Sequence, residues 1–200
     1  MTLLNVKPTD KTKGTARPMD FLFPLVPFYF LRHGVTDHNL RRLVMGNLDI
    51  PLNDQGREQA AAAAQHLDGL GISSILASPL SRARETAEIV AVRLGLQVRI
   101  IDALRERDWG EMTGRPHREL LRGHYATPPG AETPEIFRSR ILAALHGATH
   151  PGPALLVAHS GACRVLRRHL RIDDGEGPVP NGVPLLFAPT PAGDWMEKRL

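Results

Sequence analysis

Short apolar runs alternate with amphipathic segments along most of the chain, and each change of rhythm marks a change of element. Phe28-Tyr29-Phe30-Leu31, aromatic-rich and bounded by Pro27 and Gly34, predicts a buried first strand that delivers His33 at its carboxyl end. A polar loop follows. Asn53 and Asp54 supply capping chemistry ahead of an Ala-rich helix that reaches Leu67 or Leu70, with Gly69 and Gly71 as stops. Ile72 to Ala77 is the next strand, and Ser78-Pro79 ends it and opens a helix from Leu80 to Leu94, stopped at Gly95. Leu96 to Ile101 alternates as a strand. Glu132 to Leu145 carries helical periodicity, and Ala154 to Ala158 is a continuous apolar strand ending at His159, where Ser160-Gly161 opens a helix to about Leu170. Val183 to Ala188 and Trp195 to Lys198 read as closing strands. Strand and helix in alternation predict an α/β fold, a single-domain three-layer sandwich with a mostly parallel central sheet flanked by helices.

Two segments break the rhythm. Residues 102–133 are dominated by Gly, Pro, His and Arg, with one short helix near Pro116 to Arg122, and read as an active-site loop region. Residues 1–26 begin polar and basic without period and read as a flexible arm ahead of a domain spanning 27–200; Met19 is an alternative start. Composition then narrows the setting. Two hundred residues, 42% hydrophobic and 23% charged, fit one domain large enough to enclose a cleft, and the formal charge of +4 favours anionic partners. Cys163 is the single cysteine, which excludes an intrachain disulfide and a four-thiolate zinc site and makes a cytoplasmic setting the expectation. The longest apolar stretch, Phe21 to Leu31, is short and broken by Pro24 and Pro27, so no membrane span is expected, and no ordinary cleavage-site pattern marks a signal peptide.

Candidate chemistry gathers at strand ends. His33 and His159 each follow an apolar strand and adjoin small residues, and the carboxyl ends of strands are where open α/β sheets bind ligands. Arg32 precedes His33, Arg82 opens the helix after Ser78-Pro79, and Glu106 follows another predicted strand. Guanidinium groups match phosphate oxygens bidentately, and helix N-termini add oriented N–H groups for the same anion. A lone histidine or arginine is more often structural; the set is what points to phosphoryl chemistry.

These residues also carry a resemblance. Arg32-His33-Gly34 with Thr36 and Asn39, then Gly46, Asp49 and Pro51-Leu52; Ser78-Pro79-Leu80 with Arg82, Ala83, Thr86 and Ala87; Leu104, Glu106, Trp109-Gly110-Glu111 and Gly114; and His159, Gly161 and Arg164 together resemble the ordered motifs of the histidine phosphatase superfamily, in its phosphoglycerate mutase-like branch. The resemblance covers about residues 28–188. It implies a phosphomonoester hydrolase of phosphoglycerate mutase-like fold, acting on a small phosphorylated metabolite and releasing inorganic phosphate. His33 would take the phosphoryl group, with Arg32, Arg82, His159 and Ser160 holding its oxygens, Asn39 shaping the pocket, and Glu106 as proton donor. A neutral imidazole is a competent nucleophile, and covalent capture splits one difficult displacement into two. The arginines and a protonated His159 supply the positive partners, so neither metal nor cofactor is expected.

Departures from the pattern bear on substrate. Leu43 and Met45 stand where many relatives carry Arg and Gln or Thr, which predicts a less polar leaving group. Ser160 replaces a common Gly. The segment between Gly114 and Glu132 is shorter than in phosphoglycerate mutases, which favours hydrolysis over mutase-type transfer, although Arg115, His117, Arg118 and Arg122 offer a second anion site or a solvated face. A catalytically inactive relative that only binds phosphorylated ligands is disfavoured because all the proposed catalytic side chains are present, and three other rival readings carry less weight. Cys163 and Arg164 lack the spacing of a cysteine-dependent phosphatase loop, so the thiol is expected to pack as a small apolar group. His146 and His150 have metal-binding spacing but Pro151 interrupts the turn. Arg164, Arg167, Arg168 and Arg171 could contact nucleic acid, yet aromatics are 5% overall and the run equally fits one solvated helix face, so no nucleic acid partner is expected.

Overall fold

The computed structural model describes residues 26–122, 127–146, 152–172 and 178–200. The predicted arm therefore lies outside the described residues, apart from Val26. Six strands form one sheet: β1 (Phe28–Arg32), β2 (Ser74–Ala77), β3 (Val98–Ile100), β4 (Ala154–Ala158), β5 (Pro184–Pro189) and β6 (Trp195–Arg199), in the order β3-β2-β4-β1-β5-β6. β1 pairs parallel with β4, β4 with β2 and β2 with β3, while β5 runs antiparallel to β1 and to β6. The helices are α1 (Asp37–Leu40), α2 (Asp54–Leu67), α3 (Ser81–Leu94), α4 (His117–Arg122), α5 (Pro134–His146) and α6 (Ser160–His169), with two 3₁₀ turns at Asp102–Leu104 and Gly110–Met112.

Alternation along β1 sorts the layers. Phe28 and Phe30 join a cluster with Phe137, Ile141, Cys163 and Leu166 from α5 and α6. Tyr29 and Leu31 face the opposite way, onto Ala63, Leu67, Ala83 and Val90 from α2 and α3. Small alanines on α2 and α3 let those helices pack closely on each other and on the sheet. The expected sandwich is thus present, and Cys163 is a fully buried core residue. Boundaries differ from the sequence reading by a few residues, mostly at strand starts.

One short element, α1, lies within the expected polar loop. Thr36 accepts from Asn39 N at 3.2 Å while Asn39 Oδ1 accepts from Thr36 N at 3.1 Å, a reciprocal cap that closes the single turn of α1. A second correction concerns the basic run. Arg167 is buried inside the protein, its Nε and Nη2 each 2.6 Å from a Glu197 carboxylate oxygen, so the arginines of α6 do not form one solvated face. The pair pins α6 to the edge strand β6, and both side chains are essentially inaccessible, at 2% and 1% exposure.

Truncating one member leaves the other as an uncompensated buried charge. Glu197→Ala is expected to lower stability by about 3–5 kcal/mol in urea unfolding, while the paired replacement Arg167→Met with Glu197→Leu costs far less. A loss below about 1 kcal/mol for Glu197→Ala would show that the pair is solvated and structurally minor.

Candidate active site

Parallel pairing aligns four strand ends along one rim, and His33, Arg82, Glu106 and His159 each follow one of them, with Arg32 the last residue of β1. His33 comes after β1 and His159 after the neighbouring β4, whose register sets Arg32 opposite Ala158. Ser78 and Arg82 follow β2, and Glu106 follows β3 through the first 3₁₀ turn. The His33 and His159 rings end 5.3 Å apart. Arg32, His33, Asn39, Arg82, Glu106 and Ser160 line one cleft of about 760 Å³, and His159 lies fully buried beside His33.

The His33 loop is held from several directions. Its backbone N–H continues the ladder to Ala158 O at 3.0 Å. A side chain at Gly34 would strike the backbone of Gly56 in α2, so this close approach requires glycine. Gly34 N donates to Thr86 Oγ1 at 3.1 Å, and that hydroxyl donates to Arg82 O at 2.7 Å, tying the loop to α3. Val35 N donates to Gln59 Oε1 at 2.9 Å. Asn181 Nδ2 donates to His33 O at 2.9 Å.

Ring chemistry follows from these contacts. His33 Nδ1 lies 2.7 Å from Gly34 O, and since a carbonyl only accepts, Nδ1 carries the proton and Nε2 keeps the lone pair. His159 Nε2 meets Ser78 Oγ at 2.9 Å, while its Nδ1 has no protein partner. Arg82 donates from Nη1 to Leu48 O at 2.7 Å and from Nη2 to Gly46 O at 2.8 Å, yet its buried Nε finds no acceptor. Arg32 repeats the pattern, with Nη1 on Val179 O at 2.7 Å and Nε unpaired. Buried side-chain nitrogens without protein partners are rare, and among the described residues they belong to Arg32, Arg82 and His159.

Electrostatics sharpen the picture. Burial pushes both Arg32 and Arg82 down to about 10, with Glu106 partly offsetting the loss; both keep their charge at neutral pH. Burial, then Arg82 and Arg32, hold the His33 imidazole well below its ordinary value. His159 is lowered for the same reason, with added repulsion from Arg82, His33, Arg32 and Arg140. Without an anion beside it, His159 is thereby held toward its neutral form. Glu106 Oε1 accepts from Arg107 N at 2.8 Å and Oε2 from Gly161 N at 3.1 Å, and any side chain at Gly161 would collide with that carboxylate.

Asn39 and Ser160 sit at the cleft wall. Asn39 Oδ1 is consumed by the α1 cap, which leaves its Nδ2 as the donor. Farther out, Leu43 and Met45 line the cleft as expected, together with Trp109 and Leu120. Of the four residues weighed for a second anion, His117 lines it, Arg115 turns to Glu111 O and Glu119, Arg118 is exposed and does not line it, and the Arg122 side chain lies outside the described residues. Arg138, Arg164 and Arg168 supply charge at the cleft instead. His150 and the His146 side chain also lie outside the described residues. Sequence reasoning missed Asn181 and the Val179 carbonyl, which belong to a Gly- and Pro-rich turn with no motif or period to flag them. It also missed Gln59, an ordinary helix residue by pattern.

A buried pair of histidines beside Arg82 and the partly buried Arg32, at the carboxyl rim of an α/β sheet, makes a site with the charge and donors to bind an oxyanion. The model of the histidine phosphatase superfamily (branch 1) matches residues 28–177, and the chain belongs to that family of histidine-dependent phosphatases. Over 150 residues it is 34% identical to an uncharacterized phosphatase, PhoE, of Bacillus subtilis, covering 73% of this chain and 78% of the relative. It is 32% identical to the zebrafish (Danio rerio) fructose-2,6-bisphosphatase TIGAR B over 80% of this chain and 81% of that one. A mycobacterial glucosyl-3-phosphoglycerate phosphatase solved with VO3 superposes with a TM-score of 0.74 at 28% identity, covering 87% of this chain and 98% of the other. No helix among the described residues is long and apolar enough to cross a membrane.

Holding two imidazoles neutral carries a stability cost in acid. Below the ordinary value of 6.5 the unfolded chain binds protons that the native state refuses, so stability falls as pH drops toward the lowered native values. Each histidine contributes up to about 1.4 kcal/mol per pH unit in that window. In phosphate-free buffer, the variant His33→Gln with His159→Gln is expected to lose about 2 kcal/mol less than wild type between pH 6 and pH 5. Parallel stability curves for the two proteins would contradict neutral burial.

Proposed function

We propose that the chain hydrolyses a small phosphorylated metabolite through a phosphohistidine at His33. The observation that carries this reading is that Arg32 and Arg82 share one cleft with His33, that the His159 ring lies 5.3 Å from the His33 ring, and that Arg32 Nε, Arg82 Nε and His159 Nδ1 are buried without protein partners. Donors fixed in a desolvated site stabilise charge on the equatorial oxygens of a transferring phosphoryl group without having to reorganise. In the first step the His33 Nε2 lone pair bonds to phosphorus, the bond to the ester oxygen breaks, and protonated Glu106 gives its proton to the leaving alkoxide. In the second, the Glu106 carboxylate takes a proton from water, the new oxygen bonds to phosphorus, the P–N bond breaks, and inorganic phosphate leaves. Asn39 Nδ2 and the Ser160 hydroxyl complete the oxyanion contacts, and no metal or cofactor enters either step.

Substrate preference is read from the outer cleft. Leu43, Met45, Trp109 and Leu120 offer apolar contact, which supports a leaving group less polar than a glycerate on their side of the cleft, while Arg138, Arg164 and Arg168 line it with positive charge. Water, rather than a second hydroxyl of the substrate, is taken as the acceptor because the 114–132 segment is short, so mutase-type transfer stays the second reading. Residues 27–200 act as one domain in this reading, in the cytoplasm, with neither nucleic acid nor membrane as partner.

Initial rates test the proposal. Wild type is expected to release phosphate from p-nitrophenyl phosphate and to prefer aryl and alkyl phosphates over phosphoglycerates, and His33→Ala is expected to lose at least about 10³-fold in kcat. Retained turnover in His33→Ala would remove the nucleophile assignment, and preference for phosphoglycerates would remove the reading of Leu43 and Met45.

A further inference from the structure

Glu106 sits on an irregular turn, yet its proposed task demands a fixed carboxyl. Two backbone N–H groups hold the side chain itself, from Arg107 and Gly161. The backbone beneath it is held by one side chain from another element. Arg140 of α5 donates from Nη1 to Ala103 O at 2.8 Å and to Arg105 O at 2.7 Å, and from Nη2 to Glu106 O at 3.0 Å. Its remaining donors form a fork on Glu132, Nε to Oε1 at 2.6 Å and Nη2 to Oε2 at 2.7 Å. All five N–H groups of the guanidinium are thereby used.

Glu132 closes the loop from the other side. Its carbonyl accepts from Arg107 Nε at 2.9 Å and its N–H donates to Asp108 O at 3.1 Å, so the residues on both flanks of Glu106 hang on the Arg140–Glu132 pair. Both side chains are largely buried, at 23% and 13% exposure, and Arg140 also stacks over Phe137 at 4.8 Å. Phe137 faces Gly161, the residue whose N–H binds the Glu106 carboxylate. A planar fork that meets three carbonyls and a carboxylate at once cannot be reproduced by a lysine, which presents a compact point charge.

Resting on the reading of Glu106 as proton donor, we propose that Arg140, with Glu132 as its counter-ion, is a positioning residue for the Glu106 carboxyl. Arg140 acts by fixing the 103–106 backbone, and so determines whether the proton reaches the departing oxygen. Its loss therefore has a signature that general loosening of the fold lacks. Departure of p-nitrophenolate needs little protonation, whereas an alkoxide departs poorly without it.

The test compares kcat/KM, which reports the first phosphoryl transfer, for p-nitrophenyl phosphate and a simple alkyl phosphate. Glu106→Gln serves as the reference, and Arg140→Lys and Glu132→Gln as independent probes, so that a folding failure of one leaves the other. Arg140→Lys and Glu132→Gln are each expected to lower the alkyl-to-aryl ratio by about tenfold to a hundredfold, in the same direction as Glu106→Gln. Equal losses on both substrates in the two probes, with a selective loss in Glu106→Gln, would overturn the role of Arg140 and leave that of Glu106 intact. Equal losses in Glu106→Gln itself would overturn both.

Discussion

Two guanidinium groups buried with fewer acceptors than donors are the constraint on which the site depends. Arg82 is inaccessible and Arg32 partly buried; Arg82 spends both terminal nitrogens on backbone carbonyls and Arg32 spends Nη1 on one, while the Nε of each is buried and unpaired. Burying like charges this way costs stability, and the lowered values of both arginines express that cost. Burial first, and then the same field, holds His33 and His159 well below the ordinary imidazole value. An oxyanion relieves the repulsion, and a neutral imidazole is the form that attacks phosphorus. One electrostatic arrangement thus serves both binding and nucleophilicity in the proposed reaction.

The scaffold exists to hold that arrangement. Parallel pairing of β1 with β4 sets the two histidines side by side, and β5 on the other side of β1 brings up the turn that carries Val179 and Asn181. Thr86 links Gly34 to Arg82 through one hydroxyl. Glycines at 34, 56 and 161 remove the side chains that would keep these segments apart. None of these contacts is strong alone. Together they fix the angles that a nucleophile and its donors require.

Much of this is legible in the sequence. Strand ends were readable because buried parallel strands are short apolar runs, and Arg32, His33, Arg82, Glu106 and His159 do come together at one rim. Residues that act through the fold were not. Arg140 has the pattern of an ordinary helix arginine, and only the approach of the 103–106 turn to α5 gives it five acceptors. Asn181 lies more than a hundred residues from the loop it binds. Arg167 looked like part of a solvated face because sequence reveals spacing on a helix but not that Glu197, from an edge strand, would meet it. The charge state of His159 likewise depends on neighbours that only folding assembles.

Rapid quenching of the enzyme during turnover of a ³²P-labelled phosphomonoester tests the central claim most directly. The account predicts an acid-labile, base-stable phosphoamide that maps to the peptide containing His33 and is missing from His33→Ala. Label on the His159 peptide, or an acid-stable phosphoester, would contradict it.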